Sequence, residues 1–485
     1  MSLFLAVDLG ATSGRVSAGV LAPDRIDVHE VHRFANSPLH RDGAWFWDVA
    51  RLWEDTLAGL AAGVRFARDT GRRPAGIGVD SWGVDVAAVG PDGGQVLPLR
   101  SYRSASAAAR ESVLRRMPAA DLFRRSGVAP MAINTIFQLA ELLPRAELPA
   151  GSTLLLAPDL WTFRLGGDRA AERTIASTTG LLSASTGEWD AGLLDAGGID
   201  ARLLPPLAEP GTPAGRTGAG LRGVLGADGD LAVLRVGAHD TASAVAALPL
   251  TESEAFVSCG TWALAGVEHD RPVLTDAALA AGFTNEAGVG GRTLVMRNLT
   301  GLWLLEQCLR GWGPSAELPA LLAEAGAEGG PEAFIDVADP DLVGSPDVPG
   351  HIRRRCRATG QPDPSGPAAL VRCILVSLAL AYRRTIREAA ALTGRRVTAV
   401  RLVGGGCRNE LLCRLTAEAC GVPVLAGPAE ATTLGNVGVQ AIACGLLGSP
   451  GELRRLVAAS APVTCHPPGS TGVPWEVGDA LLDAG

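Results

Sequence analysis

The sequence predicts an α/β protein made of two related halves. A strand, a glycine-containing turn and a second strand open the chain at residues 3–21, and the same pattern returns at residues 255–267. Residues 205–230, between these two hairpins, are rich in Gly and Pro and show little periodicity, which is typical of a connection. We therefore expect an N-terminal domain over residues 1–236 and a C-terminal domain over residues 237–485.

The individual elements follow from hydrophobic periodicity and from the residues that interrupt it. Residues 3–7 are an uncharged apolar run, as in a strand buried on both faces. The longer periodic runs that end near Arg68 and that cover residues 373–391 predict helices. The same reasoning predicts further strands at 16–21, 77–86, 231–234, 400–403 and 421–425, and further helices at 242–248, 410–420 and from residue 430 onward.

Composition excludes several classes of function. Of the 485 residues 47% are hydrophobic and 19% are charged, so the chain can bury the cores of two or three domains. The net charge of −8 argues against a nucleic-acid partner or an anionic membrane surface. The nine cysteines are scattered without a CxxC pair, and no apolar run approaches the roughly 20 residues of a membrane helix. We therefore expect a cytoplasmic protein without structural zinc.

The chain contains no lysine, so all 43 of its Lys-plus-Arg residues are arginine. P-loop nucleotidases require the lysine of their phosphate loop, and protein kinases require one on their third strand. Pyridoxal-phosphate and other Schiff-base enzymes require a lysine amine. The composition therefore excludes all of these classes together.

The first hairpin has the composition of an anion-binding turn. Gly10 and Gly14 allow backbone N–H groups to approach an anion closely, while Thr12, Ser13 and Arg15 supply further donors. Its turn leads into a strand and lacks GxGxxG, which argues against a dinucleotide-binding loop. Asp8 lies at the end of the first strand, where its carboxylate could hold Mg2+ through water. The alternative is an ordinary hairpin with a polar tip.

The stretch around Asp240 is the candidate catalytic segment. An apolar strand leads into Gly237, and a helical run begins a few residues later, so Asp240 and Thr241 lie where that helix starts. A carboxylate in this position is well placed to take a proton from a small alcohol. The alternative is that Asp240 only caps the helix, because Asp is among the best N-cap residues.

Other polar positions leave two interpretations open. Asp80 and Asp85 lie among apolar residues, so they are either hydrogen-bonded structural groups or pocket-lining groups. The triglycine 404–406 follows a strand and precedes a helix, which suits contact with a nucleotide, although a triglycine can also be a C-cap or a plain loop.

Two halves that each open with such a hairpin indicate a duplicated pair of α/β domains that close on a cleft. This is the architecture of the actin-like (ribonuclease H-like) ATPases, which hold phosphates between two hairpin turns and need no lysine loop. The predicted fold is therefore compatible with the absence of lysine.

Four motifs together resemble the FGGY carbohydrate kinases. They are Asp8–Arg15, His239–Ala244, Ser258–Trp262 and Val403–Cys407. Within the family the closest pattern is that of the subgroup that acts on L-rhamnulose, with the matching segments Asp80–Asp85, Asn134–Leu139, Arg297–Trp303 and Glu430–Asn436. The resemblance runs in unbroken order from about residue 3 to the helix after Gly435.

The resemblance implies ATP-dependent phosphorylation of the 1-hydroxyl of L-rhamnulose with Mg2+, a step of L-rhamnose catabolism. It places Asp240 as the general base. On the nucleotide it places Ala11, Thr12, Ser13, Gly14, Arg15, Thr261, Gly404 and Gly405. On the sugar it places Gly83, His239, Asp240, Thr241 and Asn298. The expected partners are small molecules, and the expected state is a monomer or a small homo-oligomer.

The chain also departs from the family pattern at two places. Tyr102 and Arg103 are followed by Ser-Ala-Ser, where the family tends to have Asp-Ser-Arg, and Glu306 stands where the family can carry Gln on the nucleotide side. The alternatives are a kinase for another ketose or polyol, such as fuculose, xylulose or ribulose, and a nucleotide-switched binding protein of the actin-like fold.

Overall fold

The computed structural model describes residues 1–313, 317–327, 332–343, 345, 347–470 and 472–483. Packing divides the chain into two compact units that are each assembled from several segments. Unit 1 comprises Met1–Pro249, Glu268–Val295 and Glu430–Ala461, and unit 2 comprises Leu250–Val267, Met296–Ala429 and Pro462–Gly485. The division into domains 1–236 and 237–485 stays a prediction.

Strands and helices alternate along the chain, as expected for an α/β protein. The strands are β1 (Ser2–Leu9), β2 (Ser13–Leu21), β3 (Ile26–Ala35), β4 (Leu39–Arg41), β5 (Ala44–Phe46), β6 (Pro74–Ser81), β7 (Val86–Val89), β8 (Gln95–Leu97), β9 (Thr153–Leu156), β10 (Ala171–Glu172), β11 (Leu207–Ala208), β12 (Pro213–Arg216), β13 (Ala232–Leu234), β14 (Glu254–Cys259), β15 (Trp262–His269), β16 (Thr284–Ala287), β17 (Thr293–Thr300), β18 (Ala399–Val403), β19 (Val424–Ala426) and β20 (Thr464–His466). The α-helices are α1 (Val49–Asp69), α2 (Ala107–Arg116), α3 (Ala119–Ser126), α4 (Thr135–Leu142), α5 (Ala157–Arg164), α6 (Arg173–Ala176), α7 (Ala191–Gly197), α8 (Ala219–Leu225), α9 (Asp240–Ala247), α10 (Asp276–Ala280), α11 (Trp303–Trp312), α12 (Leu318–Ala327), α13 (Pro340–Val343), α14 (Val348–Ala358), α15 (Pro367–Thr393), α16 (Glu410–Cys420), α17 (Ala431–Ala443), α18 (Pro450–Ser460) and α19 (Trp475–Asp483).

The main sheet of unit 1 contains six strands in the order β12-β13-β6-β1-β2-β3. The predicted first hairpin is confirmed, because β1 and β2 pair antiparallel from Ser2 opposite Leu21 to Leu9 opposite Gly14. Strand β6 runs parallel to β1, and β13 runs parallel to β6. Seven of the eight residues of β1 are buried, as its uninterrupted apolar sequence predicts.

A second sheet repeats this pattern around β14, and its order is β16-β17-β15-β14-β18-β19-β20. Strands β14 and β15 pair antiparallel, which confirms the second predicted hairpin. Strand β18 runs parallel to β14, and β19 runs parallel to β18. An antiparallel edge strand closes the series in both sheets, with β12 on β13 and β20 on β19. The repeated order supports the predicted relation between the two halves.

Helix α17 is the central helix of unit 1, where it packs against β1, β6 and α9. Its small residues allow this close packing. A Cβ on Gly435 would lie 2.6 Å from the carbonyl carbon of Ser243 in α9, which is closer than real Cβ contacts come. Leu434, Val437 and Ala441 carry the apolar side of the helix into a core that also contains Phe4 and Leu453. The ends of β1 and β6 are therefore fixed from one side by a single helix.

One expectation about the fold is wrong. Residues 205–230 were expected to be a connection, yet they contain α8 and the edge strand β12, which pairs antiparallel with β13. Strand β12 is only four residues long and begins at Pro213, so its Gly- and Pro-containing sequence conceals it. Edge strands tolerate Pro because one of their sides needs no ladder hydrogen bonds.

Among the described helices, none combines the length and the hydrophobicity that crossing a bilayer requires.

Candidate active site

Three carboxylates lie at or just beyond the carboxyl ends of neighbouring strands of the unit 1 sheet. Asp8 in β1 lies directly opposite Asp80 in β6. At the end of β6, the backbone N–H of Ser81 donates to the carbonyl of Ala238 at 2.9 Å, and Ser81 forms a parallel bridge with His239. Asp240 follows at once. Ligands of open α/β sheets bind at the carboxyl ends of the strands, so this edge is the candidate site of unit 1.

The turn of the first hairpin is tight and polar. The backbone N–H of Gly10 donates to the carbonyl of Ser13 at 2.9 Å, and Asn36, directly after β3, donates its side-chain amide to the carbonyl of Gly10 at 2.7 Å. A Cβ on Gly14 would collide with the ring of Phe34. The turn is thus rigidly held, and phosphate binding by residues 11–15 stays a prediction.

Arg15 is engaged by two carboxylates. Its Nε and Nη2 donate to Asp8 Oδ2 at 2.8 and 2.6 Å, and its Nη1 donates to Glu430 Oε2 at 2.6 Å. The charge of Asp8 raises the pKa of Arg15, and Glu430 raises it further against the opposing effect of burial. The sequence predicted Arg15 as a phosphate donor but contained no sign of this double pairing with the residue predicted to hold Mg2+.

Asp80 is completely buried and is held from α17. Asn436 Nδ2 donates to Asp80 Oδ2 at 2.5 Å, and Gln440 in turn donates to Asn436 Oδ1 at 2.7 Å and to the carbonyl of Leu5 at 3.0 Å. Asp80 Oδ1 is buried without a hydrogen-bond partner. Burial raises the pKa of Asp80 well above its ordinary value, and the nearby charge of Asp8 adds to the shift. Asp80 is therefore both a structural anchor and a lining group of the strand-end site.

Asp240 is the first residue of α9, and the N-cap of that helix is His239. The alternative that Asp240 is the capping residue is therefore wrong. Asp240 Oδ1 accepts a hydrogen bond from the hydroxyl of Thr241 at 3.1 Å. Burial raises the pKa of Asp240, while the charge of His239 opposes that effect. A carboxylate with a raised pKa is a stronger proton acceptor, which is the property a general base needs.

His239 lies between two carboxylates. Its Nδ1 is 3.0 Å from Glu286 Oε2, and its Nε2 is 3.5 Å from Asp240 Oδ1. The Glu286 contact has the distance of an ion pair without the alignment of a hydrogen bond. Burial alone would lower the pKa of His239, but the carboxylates of Glu286, Asp240 and Glu172 together raise it to about 9, with Glu286 contributing most among them. A protonated His239 beside Asp240 can donate to a hydroxyl of a bound polyol.

The loop after β6 places Gly83 by means of a strained neighbour. Val84 has a φ of 68°, which is exceptional for a β-branched residue. Its N–H donates to Thr178 Oγ1 at 3.1 Å, and its carbonyl accepts the hydroxyl of Thr135 at 2.6 Å. The predicted strand over residues 77–86 is thus broken at this point, because the chain turns out of β6 before β7 begins at Val86.

Asp85 is a hydrogen-bonded structural group, the first of the two interpretations that its sequence environment left open. Its Oδ2 accepts from the indole N–H groups of Trp47 and Trp82 at 2.6 and 2.9 Å, and its Oδ1 accepts from Gln138 at 3.0 Å. Burial raises its pKa to about 6 in spite of these donors. Arg103, in the loop that departs from the family pattern, stacks over Trp47 at 5.9 Å from the ring centre.

Unit 2 brings two of its predicted nucleotide-binding segments together. The triglycine begins at Gly404 with a φ of 76°, and a Cβ there would lie 2.8 Å from the carbonyl oxygen of Cys259 at the end of β14. A Cβ on Gly406 would lie 2.6 Å from that of Cys259. Thr261 is two residues further along the same turn, and its carbonyl accepts from Gly301 N at 3.1 Å. The triglycine follows β18 and is therefore not a helix C-cap.

The two remaining residues of unit 2 are placed individually. Asn298 lies in β17, and Glu306 lies in the first turn of α11, where burial raises the pKa of its carboxyl.

Sequence reasoning missed several polar residues of this site. Glu286 pairs with His239, Asn436 holds Asp80, and Glu172, Thr174 and Thr178 hold the backbone behind the site. An acid inside the short strand β16 and a run of Ser and Thr around residue 177 were the available signals. Buried acids and hydroxyls require partners, so both signals indicated a polar interior.

Comparisons with known proteins identify the family and the fold of the chain. The chain matches the model described as the FGGY family of carbohydrate kinases, N-terminal domain, over residues 3–247 and its C-terminal counterpart over residues 255–444. It is 37% identical over 472 residues to a rhamnulokinase from Bacteroides thetaiotaomicron, with 96% of each chain covered. A rhamnulokinase from Klebsiella pneumoniae is 38% identical over 475 residues, with 96% of this chain and 94% of the relative covered. The crystal structure of a ligand-bound xylulose kinase from Lactobacillus acidophilus superimposes with a TM-score of 0.77 at 15% identity, over 100% of this chain and 97% of that one. These comparisons confirm the predicted two-domain, actin-like α/β fold.

Proposed function

Since the chain belongs to the FGGY family of carbohydrate kinases and is an ATP-dependent sugar kinase, we propose that its substrate is L-rhamnulose. The products are L-rhamnulose 1-phosphate and ADP, and the reaction is a step in the use of L-rhamnose. The observation that carries this choice of sugar is identity of 36–38% to rhamnulokinases over 96% of the chain.

Asp240 is the proposed general base. It takes the proton of the 1-hydroxyl as that oxygen attacks the γ-phosphorus of ATP, and ADP leaves with the electrons of the broken P–O bond. The raised pKa of Asp240 and its place directly after the strand-end cluster support this role. His239, held by Glu286, donates to a sugar hydroxyl, and Gly83, Thr241 and Asn298 complete the proposed sugar contacts.

The proposed phosphate and nucleotide contacts are divided between the two hairpins. In the first, Ala11, Thr12, Ser13, Gly14 and Arg15 offer backbone and side-chain donors to the phosphates. In the second, Thr261 contacts the nucleotide together with Gly404, which packs against Cys259 in the same turn, and Gly405, which has open space beside its Cα. Phosphoryl transfer depends mainly on positioning and charge stabilisation, and both hairpins supply rigid donors for that purpose.

The residues present fit Mg2+. No group of three or more His, Cys, Asp or Glu that could enclose a metal occurs among the described residues. Mg2+ usually keeps several waters and binds one or two carboxylates together with substrate phosphates, so a closed protein cage is not required. Asp8 would hold the ion through water, and Asp80, with a buried oxygen that lacks a partner, lies directly opposite. When bound, the ion neutralises charge on the phosphates.

A ketose panel tests the proposed substrate. ADP release is coupled to NADH oxidation with L-rhamnulose, L-fuculose, D-xylulose and L-ribulose as separate acceptors, and a no-sugar control measures ATP hydrolysis alone. We expect the highest kcat/KM with L-rhamnulose and little ADP without sugar. A higher value with another ketose would replace the substrate, and rapid sugar-independent ADP release would favour the nucleotide-switched binding protein.

Replacing the proposed base tests the mechanism separately from the substrate. Asp240→Asn keeps the size of the side chain and removes the proton acceptor, so kcat should fall by about 10²-fold or more. The melting temperature should stay close to that of the parent, because Asp240 is not the helix N-cap. Near-normal turnover by this variant would refute the assignment of Asp240.

A further inference from the structure

Residues 172–179, which we call the hydroxyl segment, lie directly behind the proposed sugar site. The segment contains the end of β10, helix α6 and a 3-10 helix at Ser177–Thr179. Glu172, Thr174, Ser177 and Thr178 within it are all buried. None of these residues is among the proposed sugar, nucleotide or metal contacts, so their burial requires another explanation.

Glu172 and Thr174 hold the two residues that precede Asp240. The backbone N–H of Ala238 donates to Glu172 Oε2 at 3.1 Å, and the backbone N–H of His239 donates to Thr174 Oγ1 at 3.1 Å. The same hydroxyl donates to Glu172 Oε2 at 2.5 Å. On its other side, the carbonyl of Ala238 accepts from Ser81. The hydroxyl segment thus takes the place that the next strand of a sheet would occupy beside residues 238–239.

The hydroxyl segment also binds the backbone next to Glu286 and Gly83. Ser177 Oγ accepts the backbone N–H of Ala287 at 2.8 Å, directly after Glu286, which pairs with His239. Thr178 Oγ1 accepts the backbone N–H of the strained Val84 at 3.1 Å. A Cβ on Gly83 would lie 3.2 Å from the side chain of Thr178. One short segment therefore contacts each backbone stretch that carries a proposed sugar-binding residue of unit 1.

We propose that the hydroxyl segment is the positioning element of the sugar site, and that the Thr174 hydroxyl sets the placement of His239 and Asp240. The inference rests on the proposed function, because it assumes that these two residues meet the sugar. Thr174 does not contact the reacting atoms in this scheme. Its effect is transmitted through one backbone hydrogen bond to His239 and one side-chain hydrogen bond to Glu172.

The expected consequence of losing this hydroxyl is larger for turnover than for folding. Thr174→Val keeps the shape of the side chain but leaves the buried N–H of His239 without its acceptor. The backbone before Asp240 then loses one of its fixed points. Displacement of a catalytic group by about 1 Å can reduce the rate by about 10²-fold. We therefore expect kcat to fall by about 10-fold to 100-fold, while KM for ATP stays within about 2-fold.

Thr56 offers a matched control in the same unit. It is as fully buried as Thr174, and its hydroxyl also makes two hydrogen bonds, accepting from Trp161 Nε1 at 3.1 Å and donating to the carbonyl of Leu52 at 2.7 Å. Thr56→Val likewise leaves a buried N–H without an acceptor, but it lies in α1, away from residues 238–240. We expect it to lose thermal stability about as much as Thr174→Val while kcat stays within about 2-fold of the parent.

The experiment compares the parent chain, Thr174→Val, Thr174→Ser and Thr56→Val by steady-state kinetics with the preferred ketose and by hydrogen-exchange mass spectrometry. Thr174→Ser keeps the hydroxyl and should restore kcat to within about 3-fold of the parent. Peptides covering residues 236–244 should exchange faster in Thr174→Val only. Equal kcat losses in Thr174→Val and Thr56→Val, or unchanged exchange over residues 236–244, would overturn the positioning role.

Failure of the proposed function gives a different result. It would appear as a parent enzyme without ketose-dependent ADP release, before any variant is compared. The exchange measurement needs no substrate, so it still decides whether the hydroxyl segment holds residues 238–239.

Discussion

Gly435→Ala should disturb the contact between α17 and α9, and through it the start of the helix that carries Asp240. The added Cβ would lie 2.6 Å from the carbonyl carbon of Ser243 and closer still to its oxygen. Both are backbone atoms of packed helices, so no flexible side chain can move aside. The helices must separate by about 1.6 Å before the carbonyl oxygen reaches an ordinary contact distance of 3.4 Å, and overpacking of this kind costs about 3 kcal/mol.

Two measurements follow from that estimate. Thermal unfolding should begin about 3–5 °C lower in Gly435→Ala. In the coupled ADP assay kcat should fall by about 10-fold or more, because α9 carries Asp240 at its first position. Gly223→Ala is the matched control: Gly223 is also a helical glycine, in α8, but a Cβ there meets nothing within 4 Å. It should leave kcat unchanged and stabilise slightly, because Ala is the better helix former. A Gly435→Ala enzyme with the melting temperature and kcat of the parent would refute the packing argument.

Three further predictions concern charge. Against the opposing effect of burial, Glu286, Asp240 and Glu172 together raise the pKa of His239 from 6.5 to about 9. The charge of His239 therefore stabilises the fold fully below pH 6.5, and this contribution is lost as the pH rises through 9. Denaturant unfolding at several pH values should show that decline, and Glu286→Gln should weaken it because Glu286 makes the largest favourable contribution. Arg15→Lys keeps the positive charge but loses the planar guanidinium that pairs with both Asp8 and Glu430. In steady-state kinetics KM for ATP should rise by about 10-fold. An unchanged KM would contradict phosphate binding by Arg15. Trp47→Phe removes one hydrogen-bond donor from Asp85, whose pKa is about 6. The unfolding free energy should therefore fall by about 1–3 kcal/mol above pH 6, where Asp85 is ionised, and by less below it. An equal loss at pH 5 and pH 8 would exclude the carboxylate as the cause.

The sequence predicted the parts of the fold that local pattern determines. The apolar run of β1, the two hairpins and helix α16 over Glu410–Cys420 were located within a few residues, because periodicity and glycine turns are local signals. Strand β12 was missed because it is defined by its pairing with β13, which lies about twenty residues later, and only one of its four residues is buried.

The candidate site was predictable only in part. Asp8 and Asp240 were recognisable because each follows an apolar strand at a turn or a helix start. The pairing of Arg15 with Glu430 spans 415 positions, and the contact of Asp80 with Asn436 spans 356, so no local pattern contains them. Contacts of this kind are set by tertiary packing.

Helix α17 also bears on how the protein is made. Gln440 donates to the carbonyl of Leu5, 435 positions earlier, and Asn436 donates to Asp80 Oδ2. A nascent chain of only the first 249 residues therefore contains the strands of this sheet but lacks α17, which packs on its apolar face and holds Asp80. Nascent chains of that length should depend on chaperones, and deletion of residues 430–461 should send the remaining polypeptide to inclusion bodies.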